Sequence, residues 1–185
     1  MINIVKIVML LLIVGLFSNQ SKGGAVFDLT NPDHLKLADM YPNYKEMRVA
    51  SFDDTKGIKE LGDGNRSIVG LKPNNSDDWE IFQATLSTDT TGKRRVYIHS
   101  TNPCKNEDED GKTVTLKTNE QNVRYVRYCD GNFYYFSPIS TAGLNFLVSE
   151  FKKKEAVKVE FSDIHIIFIA TGFTKSWNNF GGDAL

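Results

Sequence analysis

From Trp79 onward, apolar and polar side chains alternate in short runs broken by turn residues, a pattern that an antiparallel sheet buries well. Trp79, Ile81, Gln83 and Thr85 take one side of a strand, and Glu80, Phe82, Ala84 and Leu86 take the other. Asp89-Thr-Thr-Gly92 turns the chain, and Arg95 to Ser100 returns beside it as a hairpin. Thr113 to Lys117 follows after a polar, acidic loop. Asn122 to Cys129 and Phe133 to Ser137 are joined by Asp130-Gly131-Asn132, and an Asp-Gly step between β-branched or aromatic runs is a strong hairpin signal. In the first arm Val123, Tyr125, Arg127 and Cys129 share one face, while Arg124, Val126 and Tyr128 share the other.

The period then changes. Leu144, Leu147, Val148 and Phe151 fall at i, i+3, i+4 and i+7, one stripe of a helix. Ser140 or Thr141 is placed to cap it, and Lys152 to Lys154 put positive charge at its end, where the helix dipole favours it. Val157, Val159 and Phe161 alternate again, Ser162-Asp163 turns, and Ile164 to Thr171 reads as an apolar, central strand. Gly172 to Trp177 leaves that strand as a final helical turn. Upstream, Ser67 to Leu71 forms a short strand ended by Lys72-Pro73, and Phe52 to Arg66, with the turn cluster Gly62-Asp-Gly-Asn65, is a surface connection. The stretch from Val26 to Tyr44 is irregular, with one helical turn near His34 to Met40. The expected fold is mainly β with one helix: an antiparallel β-sandwich or small barrel of about seven to eight strands with a packed α-helix.

The start of the chain bears on compartment. Lys6 precedes an apolar run from Ile7 to Phe17, followed by polar and small residues through Gly23 and Ala25. That order is the pattern of a cleavable secretory signal peptide over residues 1–25, cut after Ala25 or, alternatively, Gly23. The run is roughly 11 residues, short of the ~20 a membrane-spanning helix needs. Residues 26–185 then form a single secreted β-rich domain with no membrane span. Without Lys6 and Lys22 the domain carries a net charge of about −3, which disfavours a nucleic-acid partner. The two cysteines, Cys104 and Cys129, read as one disulfide in an exported protein.

Candidate chemistry is sparse. Asn106, Asp108 and Asp110 precede Gly111 at alternating positions, as in the first half of a calcium loop, which packs several oxygens around a sharp turn. Lys117 stands where such a loop needs a bidentate glutamate, so a solvated acidic loop tied down near Cys104 is the plainer reading. His34, His99 and His165 are scattered, with no zinc spacing, and the two on strands point to the solvent face. No Gly-x-Ser-x-Gly elbow and no phosphate-binding glycine loop occur. No cofactor is expected. The aromatic concentration around Phe133-Tyr-Tyr-Phe136 makes Tyr134 and Tyr135, beside Arg124 and Arg127, the candidate binding surface, because rings stack on the apolar faces of sugars and peptides. Asn65-Arg-Ser67 and Asn74-Asn-Ser76 match the glycosylation sequon, which matters only in a eukaryotic host.

Over roughly Ser137 to Trp177 the chain resembles the end of small exported bacterial β-sandwich proteins. The features that carry the resemblance are the helix ending in Phe151-Lys-Lys-Lys, the strand Val157-Lys-Val-Glu-Phe161 and the exit Gly172-Phe173-Thr-Lys-Ser-Trp177. It is similar in this to the invasion-associated locus B family and to accessory proteins of bacterial secretion systems. The resemblance implies a periplasmic location and a non-catalytic role, and supplies no site residues. The functional expectation is a non-enzymatic exported binding domain with a protein or glycan partner in the envelope or host. The alternatives are an envelope hydrolase whose site includes His99 or His165, and an inhibitor or accessory subunit of a secreted system.

Overall fold

A computed structural model describes residues 43–55, 65–104, 111–161 and 164–181. The signal segment, the helical turn near His34, the acidic loop with Asn106, Asp108 and Asp110, and the turns at 62–64 and 162–163 lie outside the described residues. Nine strands run in chain order: β1 Tyr44–Ala50, β2 Arg66–Pro73, β3 Glu80–Thr88, β4 Arg94–Pro103, β5 Thr113–Thr118, β6 Gln121–Cys129, β7 Phe133–Pro138, β8 Ala156–Phe161 and β9 Ile164–Ile169. Helix α1, Thr141–Lys153, lies between β7 and β8, and α2, Phe173–Asn179, follows β9. The strands form one antiparallel sheet ordered β1-β2-β3-β4-β7-β6-β5-β8-β9.

The sheet curls until its ends nearly meet. β9 lies against β2, and the backbone N–H of Phe52, just after β1, donates to the carbonyl of Thr171, just after β9, at 3.1 Å. The expected class therefore stands as a nearly closed, barrel-like sheet. Three points differ from the sequence reading: the stretch read as a surface connection from Phe52 begins in the core, with Phe52 and Thr55 fully buried. Strand β1 was not expected, because Lys45, Glu46 and Arg48 break its apolar alternation. The apolar strand β9 ends the hydrogen-bonded order instead of lying at its centre. It reads as central because Ile166 and Phe168 fill the interior and Ile167 is also buried.

One face of each strand supplies the core: Val69 and Leu71, Phe82, Ala84 and Leu86, Val96 and Ile98, Val123 and Tyr125, Val157 and Val159 are all buried. Tyr125 is the polar member. Its phenol shares a 2.8 Å hydrogen bond with the Thr118 hydroxyl, and burial pushes its pKa up to about 12, so it stays neutral. Helix α1 starts where the sequence places it, with Ser140 Oγ accepting from the Gly143 N–H at 3.0 Å. Its buried Phe151 stacks on Phe173 of α2, centroids 4.9 Å apart, and both meet Phe52 edge to face.

Turn chemistry sets the register. Asp89 Oδ1 accepts from the N–H groups of Thr91 and Lys93 in the β3–β4 turn, and Gly92 takes φ +78°. Asp130 does the same for Asn132 and Phe133 between β6 and β7. The tight β5–β6 turn places Asn119 at φ +49°, and its side chain reaches the N–H of Lys158 and the carboxylate of Glu150. That single asparagine ties the hairpin to both β8 and α1.

Candidate functional site

Alternation that sends Phe82, Ala84 and Leu86 inward sends Gln83, Thr85 and Ser87 outward, and β4 likewise presents Arg95, Tyr97 and His99. Register then builds rows across the outer face. Arg66 lies opposite Thr85, which lies opposite Tyr97. In the next row Gln83, His99, Tyr135 and Tyr128 stand side by side on β3, β4, β7 and β6. Arg66, Thr85, Ser87, Thr88, Tyr97, His99 and Tyr135 line a depression of about 400 Å³.

Its lining combines aromatic rings and hydroxyl groups with unmet polar atoms. The Arg66 guanidinium donates through Nη1 to Gln83 Oε1 at 3.1 Å. Three buried atoms, Arg66 Nε, Thr85 Oγ1 and His99 Nδ1, have no hydrogen-bond partner among the described residues. An unmet buried polar atom costs about 1–3 kcal/mol, so such atoms are rarely left without a purpose. His99 and Tyr135 stack with centroids 4.8 Å apart, and the Tyr135 hydroxyl donates to Asp130 Oδ2 at 2.8 Å. Burial, and then the neighbouring Arg66 charge, lower the His99 pKa against the opposing pull of Asp130, so the ring is neutral at pH 7. Burial, followed by the Asp130 contact, raises that of Tyr135.

A pH prediction follows for His99. Its folded pKa lies below the ordinary 6.5, so the unfolded chain binds the proton more tightly. Its contribution to stability is complete above the unfolded pKa and is lost as pH falls through the folded one. We expect the urea midpoint to be lower at pH 5.5 than at pH 7.5, with a smaller difference in His99→Gln. An unchanged difference in the variant would show that the ring is not held neutral.

A second depression, of about 450 Å³, adjoins the first and shares Tyr97 as a wall. Arg95, Asp89, Thr113, Val126, Tyr128 and Ile139 contribute to it. The charges here are satisfied. Arg95 Nε meets Asp89 Oδ2 at 3.0 Å, and its Nη1 donates to the Pro138 carbonyl. The Thr91 hydroxyl, Arg95 and the turn amides hold the Asp89 carboxyl well below the usual range. Tyr128 and Ile139, 43 % and 45 % exposed, are the exposed large hydrophobic residues among those described.

The four residues of the expected aromatic–basic surface are divided between two faces. Tyr135 enters the groove, and Arg124 is exposed on the same outer side of β6. Tyr134 and Arg127 point to the opposite side, where the Arg127 guanidinium lies 5.1 Å above the Tyr134 ring. The expectation of His99 on a solvent face needs correction: it is turned outward but half-buried beneath the groove. His165 is exposed, 4.0 Å from Glu160 on β8, and takes no part in the groove. Arg66, Thr85 and Tyr97 had no local motif. The signal for them was the run of hydroxyl, aromatic and His positions on the outward alternation of β3 and β4.

Cys104 and Cys129 form the expected disulfide, a bond compatible with an oxidising extracellular compartment. Among the described residues no three His, Cys, Asp or Glu side chains gather as a metal-binding group, and no helix is long and apolar enough to cross a membrane. The two sequons differ in access. Asn74 is exposed in a turn, whereas Ser67 of the Asn65 sequon is buried and donates to the Ala50 carbonyl. Comparison with known protein families, characterised proteins and solved structures finds no match to the chain.

Proposed function

We propose that the chain is a non-enzymatic, exported binding domain that holds a protein or glycan partner of the cell envelope or host in its outer-face groove. The observation that carries this reading is the groove itself: three unmet polar atoms beneath a lining of hydroxyl, phenol and imidazole groups. Ligand sites combine apolar walls with a few placed polar groups in this way. Export is supported by the apolar leader pattern and by the disulfide. The resemblance of the C-terminal third to small exported bacterial β-sandwich proteins agrees with both. A hydrolytic site would draw on His99, but among the described residues no carboxylate lines the depression beside it, and the nearby Asp130 is engaged by the Tyr135 hydroxyl and two turn amides.

The test is saturable binding to envelope polysaccharide and envelope protein fractions, measured for the native protein and for Tyr97→Ala. Tyr97 walls both depressions, and loss of its ring is expected to weaken binding about tenfold, equivalent to about 1.4 kcal/mol, with the thermal melt retained. Binding that is indifferent to Tyr97 sinks the reading.

A further inference from the structure

We infer that the groove takes an acidic oligosaccharide, whose carboxylate is received by Arg66, Thr85 and His99 while its neighbouring sugars run past Tyr97 toward Tyr128 and Ile139. The inference rests on the binding-domain reading above and gives it a ligand class.

The two depressions form one track. They share Tyr97, and their linings draw on β2, β3, β4, β7, β6 and β5, consecutive neighbours in the sheet. Six strands at about 4.8 Å spacing give about 24 Å along the surface, the reach of an extended chain molecule. A peptide captured by strand addition is disfavoured, because it would run along one strand edge, whereas this track crosses the strands, each of which has a strand neighbour on both sides in the sheet order. A sugar chain needs no edge. It needs hydroxyl partners and ring faces in alternation, and Thr85, Ser87, Thr88 and Thr113 supply the former while Tyr97, Tyr135 and Tyr128 supply the latter.

Charge complementarity selects an acidic sugar and places its anion. Among the described residues, the lining of the first depression contains a guanidinium and no carboxylate, and the nearby Asp130 carboxylate is engaged by the Tyr135 hydroxyl and two turn amides. Arg66 is held at Nη1 by Gln83, which leaves its Nε edge, the edge that can grip a carboxylate with two parallel bonds, without a partner among the described residues. Thr85 Oγ1, opposite it in the sheet, is in the same condition, as is His99 Nδ1. These three atoms are buried, so receiving the carboxylate requires the His99 ring and the Thr85 hydroxyl to turn toward it. At the other end Asp89 presents no uncompensated charge, because Arg95 and the turn amides hold it. Among the described residues that line the second depression, a polyanion therefore meets no bare carboxylate.

The experiment uses the purified, disulfide-bonded protein and calorimetric titration with a panel of oligouronates: galacturonate, mannuronate and guluronate oligomers, and hyaluronan fragments. Each acid is paired with its neutral methyl ester. At least one acid is expected to bind, and its ester to bind at least tenfold more weakly. Arg66→Gln is expected to bring the acid down to the ester's affinity, and an unchanged thermal melt shows that the variant is folded. Equal affinity for acid and ester, or full acid binding by Arg66→Gln, overturns the inference while leaving a glycan-binding groove in place. Failure of every acid at millimolar concentration also overturns it. The binding-domain reading then stands or falls separately, on whether Tyr97→Ala weakens capture by the envelope fractions.

Discussion

Replacing Phe151 with alanine is expected to remove about 3–5 kcal/mol of stability, the range for deleting a fully buried phenylalanine from a core that cannot collapse around the space. The residue is buried on α1, stacked 4.9 Å from Phe173 on α2 and 5.8 Å edge to face from Phe52, which follows β1. Phe52 comes from near the start of the described chain and Phe151 and Phe173 from its last quarter, and each also contacts the others. Relaxation is limited because Phe52 is fixed by its backbone bond to Thr171 and Phe173 by its own to Ala170. Against a typical total of about 5–15 kcal/mol for a single domain, the loss is a large fraction. Urea titration of Phe151→Ala measures it, and Phe151→Leu, which keeps most of the apolar volume, should recover part. A loss below about 1 kcal/mol would mean that the aromatic cluster is not the anchor of the two helices.

Opening the disulfide is the second large effect. Cys104 and Cys129 are 25 residues apart, and their bond carries the end of β4 across β7 to the end of β6. Closing a loop of that length stabilises a fold by about 3 kcal/mol in the chain-entropy account, because the unfolded chain loses freedom it would otherwise regain. The double variant Cys104→Ala/Cys129→Ala should therefore melt roughly 10 °C lower. Intact mass of the native protein should be two hydrogens short of the reduced value, and both thiols should appear on denaturing reduction. The local backbone gives some compensation, since the Cys104 N–H already donates to the Asn132 carbonyl at 3.0 Å. A double variant that melts with the native protein would assign the ordering of this end of the sheet to that backbone contact instead of the bond.

Local signals made much of the fold legible. The β3–β4 and β6–β7 hairpins follow from Asp89-to-Gly92 and Asp130-Gly131, whose carboxylates bond the turn amides as their positions suggest. Helix α1 follows from its apolar stripe and the Ser140 cap. Strand β1 was hidden because its charged residues hold surface ion pairs, such as Lys45 to Asp77 at 3.0 Å, instead of alternating with a buried set. β9 misled in the other direction: burial on two sides resembles a central position, although here it comes from the curl of the sheet. The groove was the least legible part. Arg66, Thr85, Tyr97, His99 and Tyr135 stand on four strands, and the β4–β7 pairing that joins them skips two strands of the sequence. The adjacent pair Tyr134-Tyr135 shows the difficulty: strand alternation must separate them, so an aromatic cluster in the sequence becomes two half-clusters in space.

The bond from Phe52 to Thr171 carries a consequence for biogenesis. It joins positions about 120 residues apart, a separation that slows closure because the loop entropy must be met before the contact forms. Until β9 and α2 are available, β2 lacks its neighbour across the seam and Phe52 lacks Phe173. A polypeptide emerging from its amino end therefore cannot complete this architecture early. The segment from β9 to α2 acts as the latch, and the earlier strands stay unclosed until it has been made.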